Sequence, residues 1–244
     1  MQENRENIIA RLQKEILPLQ GLKLPAANHA LQLDLGPIAE AFPNKSFPVG
    51  AIHEFISHAP EDAAATCGFI GCLTGGLMRN GGVCVWIGAS RKLFPPALKG
   101  FGVDPDRIIF IDLKKDKEIL WALEEALKCE GLATVVGEIP EMNFTVSRRL
   151  QLAVEQSRVT GFIHRYRPRN INTNACISRW QITSLPSALG ENIPGIGFPR
   201  WDISLLKIRN GKPGAWKMEW ASDILRPITP FMVAIPQEQK RKTG

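Results

Sequence analysis

GAIHEFISHAPEDAAATCGFIGCLTGGLMRN, residues 50–80, reads as a buried strand, a tight loop and a long apolar helix. A second strand, GVCVWIGAS at residues 82–90, follows it. In an open α/β sheet the first strand–loop–helix is where the phosphates of a nucleotide dock, because backbone N–H groups at the helix start point at the anion. A loop built for that task reads GxxxxGK[ST]: glycines let the backbone wrap the phosphates, Lys neutralises them and Ser/Thr holds Mg²⁺. The segment here is His58-Ala59-Pro60-Glu61-Asp62-Ala63-Ala64-Ala65-Thr66, without glycine or lysine. Pro60 has no N–H to offer. Glu61 and Asp62 stand where phosphate would sit. Each stabilises a helix N-terminus by about 0.3–1 kcal/mol and repels an incoming anion. Thr66, the one Thr at a magnesium-ligand position, has nothing around it to complete a site. Asp112 and Glu138 each end an apolar strand, as a metal-holding acid would, but acids are frequent at strand ends without a metal. The expectation is a nucleotide-binding shape without its chemistry: no catalytic residue, no cofactor and no metal.

Outward from this stretch, short apolar strands alternate with helices. Strands are expected at residues 51–57, 83–87, 107–112, 133–138 and 161–165, and helices at 62–79, 95–101, 117–129 and 145–158. That order means a mostly parallel sheet with helices on both faces. After Pro168 the pattern changes to alternating strands at 175–185 and 201–209, a turn at 210–214 and a returning strand at 215–220, a β-hairpin extending the sheet. Trp180, Trp201, Trp216 and Trp220 lie in this part, read either as core or as interface anchors. Before residue 50, residues 3–17 have a helical apolar stripe that Pro18 ends, and residues 19–48, with a short apolar turn at 35–42, read as a proline-bearing linker and a lead-in wrapping the domain. The organisation expected is an arm and linker at 1–47, an α/β domain with its β-extension at 48–225, and a mobile basic tail at 226–244.

The first 20 residues are charged and lack the apolar block of a secretion signal, and no run of about 20 apolar residues occurs, so a soluble cytoplasmic protein without membrane contact is expected. Cys67, Cys72, Cys84, Cys129 and Cys176 form no CxxC pair and the histidines are scattered, so buried reduced thiols are expected in place of zinc or disulfides. Residues 1–141 carry 14 Lys/Arg against 18 Asp/Glu; residues 142–244 carry 16 against 6. A basic second half fits an acidic partner such as nucleic acid, or a solvated surface. The candidates within it are Arg165, Tyr166, Arg167 and Arg169, which could track phosphates and stack a base or cap an edge strand, and Lys240, Arg241 and Lys242 in the tail.

Phe47-Pro48-Val49-Gly50 with residues 51–79, Glu54 within the first strand, Glu138 and the His164-Arg165 strand end are similar to a RecA-type core. Ser178-Arg179-Trp180-Gln181-Ile182, Pro199-Arg200-Trp201, Arg209-Asn210-Gly211-Lys212-Pro213-Gly214 with Trp216, and Glu219-Trp220 resemble the ImuA family, RecA-like accessory factors of damage-induced mutagenesis. The resemblance covers about residues 45–222. It implies a RecA-like fold with a degenerate phosphate loop and no enzymatic activity. It also implies an accessory role in the SOS response and error-prone translesion synthesis beside a Y-family-polymerase-like partner. RecA, an error-prone C-family polymerase and DNA are further candidate partners. The alternatives are a RecA-class ATPase with a non-standard nucleotide site and a damage-induced inhibitor, for example of cell division.

Overall fold

Ile52–Ser57 forms β1, buried along its whole length, and the rest of the molecule is laid on both of its faces. The computed structural model describes residues 33–91, 93–187 and 197–228. The arm helix expected at 3–17 and the tail with Lys240, Arg241 and Lys242 lie outside them.

After β1 come α1 (Pro60–Met78), β2 (Val83–Gly88), β3 (Ile108–Asp112), α2 (Asp116–Leu127), β4 (Leu132–Glu138), α3 (Phe144–Ser157) and β5 (Thr160–Tyr166). Then β6 (Ser178–Leu185), β7 (Arg200–Ile208), β8 (Gly214–Ala221) and β9 (Ile224–Pro227) follow in succession. The sheet has nine strands in the order β3-β2-β4-β5-β1-β6-β7-β8-β9. Pairing is parallel from β3 to β6 and antiparallel from β6 to β9. Among the described residues no helix is long and apolar enough to cross a membrane.

Alternation along β1 divides the interior. Phe55 faces α1 in a core with Phe69, Phe162, Trp180 and Trp201; Ile52 faces a second core with Leu123, Leu127, Val154 and Ile163 under α2 and α3. Helix α1 is buried nearly all round, which its small residues allow. A Cβ on Gly75 would stand 2.5 Å from the Phe101 carbonyl oxygen, so the 3-10 turn Pro95–Phe101 can approach only a glycine there. Residues 95–101, expected as a helix, take the tighter 3-10 form behind two prolines.

Residues 33–47, read as linker and lead-in wrapping the domain, pack into the first core through Leu35, Ile38, Phe42 and Phe47. The extension has the three expected strands and adds a fourth: β9 pairs with β8 through a two-residue turn at Ser222 and Asp223, both at positive φ. No glycine marks that turn, which is why the sequence hid it.

Candidate functional site: a cleft at the strand ends

Ser57 ends β1 and Pro60 starts α1, leaving only His58 and Ala59 between strand and helix. Residues 60–66, read as loop in part, are already the first turns of α1. Two residues cannot wrap a phosphate chain. The connection is also occupied: the Arg167 backbone N–H donates to the Ser57 carbonyl and its Nε to the His58 carbonyl, both at 2.8 Å. Asp62 accepts the Ser184 backbone N–H at 3.0 Å. Thr66 is buried, its hydroxyl without a hydrogen-bond partner among the described residues.

Beside this connection lies a cleft of about 610 Å³. Its walls are α1 (Pro60, Ala63, Ala64, Cys67), the segment after β2 (Ala89, Ser90, Leu93, Phe94), and the ends of β4 and β5 (Glu138, His164, Tyr166). Ligands of open α/β sheets bind at this end of the strands. The lining is mostly apolar. No Lys or Arg occurs among the described lining residues. Burial holds the His164 imidazole down to a pKa of about 4, so it is neutral at pH 7. Among the described lining residues Glu138 is the one acid, and these residues offer a polyphosphate no counter-charge.

Three polar side chains converge in the cleft. His164 Nε2 lies 2.7 Å from the Ser57 hydroxyl, and its Nδ1 lies 4.0 Å from Cys67 Sγ. Glu138 Oε1 accepts the Trp86 indole N–H at 2.8 Å. Ligand atoms of Cys67, Glu138 and His164 all lie within 4.8 Å of one another. Burial, with the Glu138 charge, pushes the Cys67 thiol up to about 12. Sequence reasoning had no signal for this group, whose members come from α1, β4 and β5. The second strand-end acid, Asp112, is paired with Arg91 at 2.9 Å, and Arg91 lies over the Phe110 ring.

The basic run after β5 is divided by the sheet. β5 is a central strand, so no edge needs capping. Arg165 is fully buried on the face away from the cleft: it donates to Glu54 at 2.7 Å, to Glu141 at 3.2 Å and to the carbonyls of Pro140 and Asn170. Its charge is spent inside the fold and is not offered to a phosphate backbone. Arg167 and Arg169 are exposed, with Arg167 against the half-buried Tyr166 ring.

Protein ImuA of Caulobacter vibrioides, from two strains, is 36% identical over 190 residues, 73% of this chain and 78% of the relative. The chain belongs to the ImuA family. No protein-family model matches it. Among solved structures the RadB recombinase superposes with a TM-score of 0.51 at 13% identity, covering 75% of this chain and 93% of that one. That likeness speaks for the fold alone, which is RecA-like. The residues by which the chain resembles ImuA proteins build the sheet extension. Arg179 reaches across to Glu54 at 2.5 Å while its neighbour Trp180 points into the core under α1. Arg200 pairs with Glu219 across β7 and β8 at 2.6 Å, and their neighbours Trp201 and Trp220 enter the same core. Trp216 is half-buried against it. In the RNGKPG turn a Cβ on Gly211 would stand 2.3 Å from the Ala41 carbonyl oxygen, and the Lys212 N–H donates to that oxygen at 2.9 Å. This part of the ImuA pattern therefore marks architecture, and the tryptophans are core.

Proposed function

We propose that this chain is a non-catalytic accessory factor of error-prone translesion synthesis, acting by binding a Y-family-polymerase-like subunit of a damage-induced mutasome. Membership of the ImuA family and the RecA-like fold carry the coarse reading, an accessory role in induced mutagenesis. The observation that supports a role without ATP hydrolysis is the β1–α1 connection of two residues, beside a cleft whose described lining has no Lys or Arg. Protein binding is supported by large apolar side chains left in solvent, among them Trp121 on α2 and Phe144 on α3. RecA is a second candidate partner, met through a filament-like face; an error-prone C-family polymerase and DNA complete the set.

Calorimetry with ATP and Mg²⁺ tests the first half of the proposal. No binding at millimolar nucleotide is expected, and saturable binding with hydrolysis returns the chain to the ATPases. Pull-down against the polymerase-like partner, RecA and a division GTPase tests the second half. Capture of the first, weakened by Trp121→Ala, is expected; capture of the division GTPase alone overturns it. Deletion of the gene is expected to abolish damage-induced mutation, and an unchanged mutation frequency speaks against the role.

A further inference from the structure

We propose that Cys67, His164 and Glu138 form a binding site for one zinc-class divalent cation in the cleft at the strand ends. A thiolate, an imidazole and a carboxylate suit the borderline-soft Zn²⁺; Mg²⁺ takes oxygen ligands and keeps its waters. Bond lengths of about 2.3 Å to sulfur and 2.0–2.2 Å to nitrogen and oxygen put tetrahedral ligand atoms about 3.5 Å apart. Here the sulfur and the imidazole nitrogen are 4.0 Å apart and all three ligand atoms lie within 4.8 Å of one another, so small side-chain rotations close the site.

The surrounding groups hold these ligands in place. Ser57 binds His164 Nε2 at 2.7 Å, which leaves Nδ1 on the Cys67 side. That nitrogen is buried, and its contact with sulfur at 4.0 Å is long and weak for a hydrogen bond. Trp86 fixes the Glu138 carboxylate from the side through Oε1. Such outer partners set ring orientation and ligand basicity in metal sites. Charge balance agrees. A dication with one thiolate, one carboxylate and a neutral imidazole is neutral overall, which suits a mostly apolar cleft without Lys or Arg among its described lining residues. On binding, Cys67 gives up its thiol proton to bulk water. A fourth ligand, water, would come from the cleft. The site stands apart from the accessory role: either can fail without the other.

The test uses the full chain stripped with a chelator and titrated with Co²⁺, whose spectrum reports thiolate ligation and tetrahedral geometry, followed by Zn²⁺ as competitor. One equivalent of Co²⁺ with a sulfur-to-metal charge-transfer band, displaced by Zn²⁺, is expected. Cys67→Ser is expected to remove the band, His164→Ala to weaken affinity by about tenfold or more, and Cys129→Ser, at an exposed thiol, to leave both unchanged. Circular dichroism of each variant separates a lost site from a lost fold. Glu138→Gln gives a third ligand variant in which the amide oxygen can still accept from Trp86, and it too is expected to weaken binding. Absence of the band in the wild-type chain, or its persistence in Cys67→Ser, overturns the proposal.

Discussion

Glu54, in the middle of β1, and Glu138, at the end of β4, sit on opposite faces of one sheet and have opposite surroundings. Glu54 is fully buried and accepts from Arg165, Arg179 and Asn174 at 2.5–2.7 Å. Glu138 is half-buried at a cleft beside a thiol and an imidazole. Both lie where the sequence resembles an ATPase core, and the sequence does not tell them apart. A buried acid whose partners are two arginines and an amide is committed to architecture. An acid at an open cleft with two other ligand-type side chains retains capacity for chemistry. The same division runs through the whole molecule: the side of β1 toward α2 and α3 carries a closed ion cluster, and the side toward α1 carries the open cleft.

Neutralising each acid gives the largest contrast. Glu54→Gln leaves Arg165 buried with only the half-exposed Glu141 opposite it, and losing one partner of a buried ion pair costs about 3–5 kcal/mol. Glu138→Gln keeps an acceptor for Trp86 at the half-buried rim of the cleft and is expected to cost clearly less than Glu54→Gln. Urea denaturation of both variants measures the gap, and equal costs would break the distinction drawn here. Next in size is Gly75→Ala, which forces a methyl group against the Phe101 carbonyl and overpacks α1 at about 1–3 kcal/mol. Its readout is the same denaturation midpoint, on the cleft side alone.

Near neutral pH a further effect, small there and growing with acid, comes from a buried histidine. His53 on β1 is stacked on Phe47. Its Nε2 bonds the Pro48 carbonyl and its Nδ1 the Ser178 hydroxyl, both at 2.7 Å. Burial lowers its pKa to about 3. The unfolded chain, with an ordinary histidine pKa near 6.5, therefore binds the proton first as pH falls. The contribution is fully present above pH 6.5 and is lost from there down to about pH 3, at about 1.4 kcal/mol per pH unit. His53→Gln removes this one proton from the slope between pH 6 and 4, even if it is less stable at pH 7. An unchanged slope would show that His53 does not titrate on unfolding.

The order of strands and helices over residues 51–165 was legible because each strand is a short apolar run and each helix is bounded by turns. The lead-in at residues 33–47 was legible as an apolar turn wrapping the domain, but its prolines break any periodicity, so which of Leu35, Ile38, Phe42 and Phe47 enter the core was not. β9 was hidden by its length of four residues and its proline. At the site, the lack of glycine and lysine after β1 was legible as composition; that only two residues join β1 to α1 was not, because residues 60–66 read as loop in part. The cleft group was not legible: Cys67, Glu138 and His164 carry no local spacing and meet only because β4 and β5 are neighbours facing α1. Arg165 misled for the same reason. In RYRPR it reads as one of three surface cations, and its partner Glu54 lies 111 residues earlier.

Arg165 and its two neighbours supply the last and smallest test. Arg167→Ala with Arg169→Ala removes one bond to the His58 carbonyl and an exposed cation–ring contact, for about 1 kcal/mol or less. If these two arginines follow a phosphate backbone, the double variant lowers the salt dependence of single-strand binding by about 0.7 per lost contact in log–log slope. Fluorescence anisotropy of a labelled oligonucleotide across salt concentrations reads that slope directly. Arg165→Ala is expected to do the reverse: a large loss of stability, and no change of slope in the fraction that remains folded, because a guanidinium held by Glu54 behind the sheet releases no counterions from DNA. A slope that falls with Arg165 and not with Arg167 and Arg169 would place the nucleic-acid surface on the closed side of β1, and the division between a structural face and a functional one would fail.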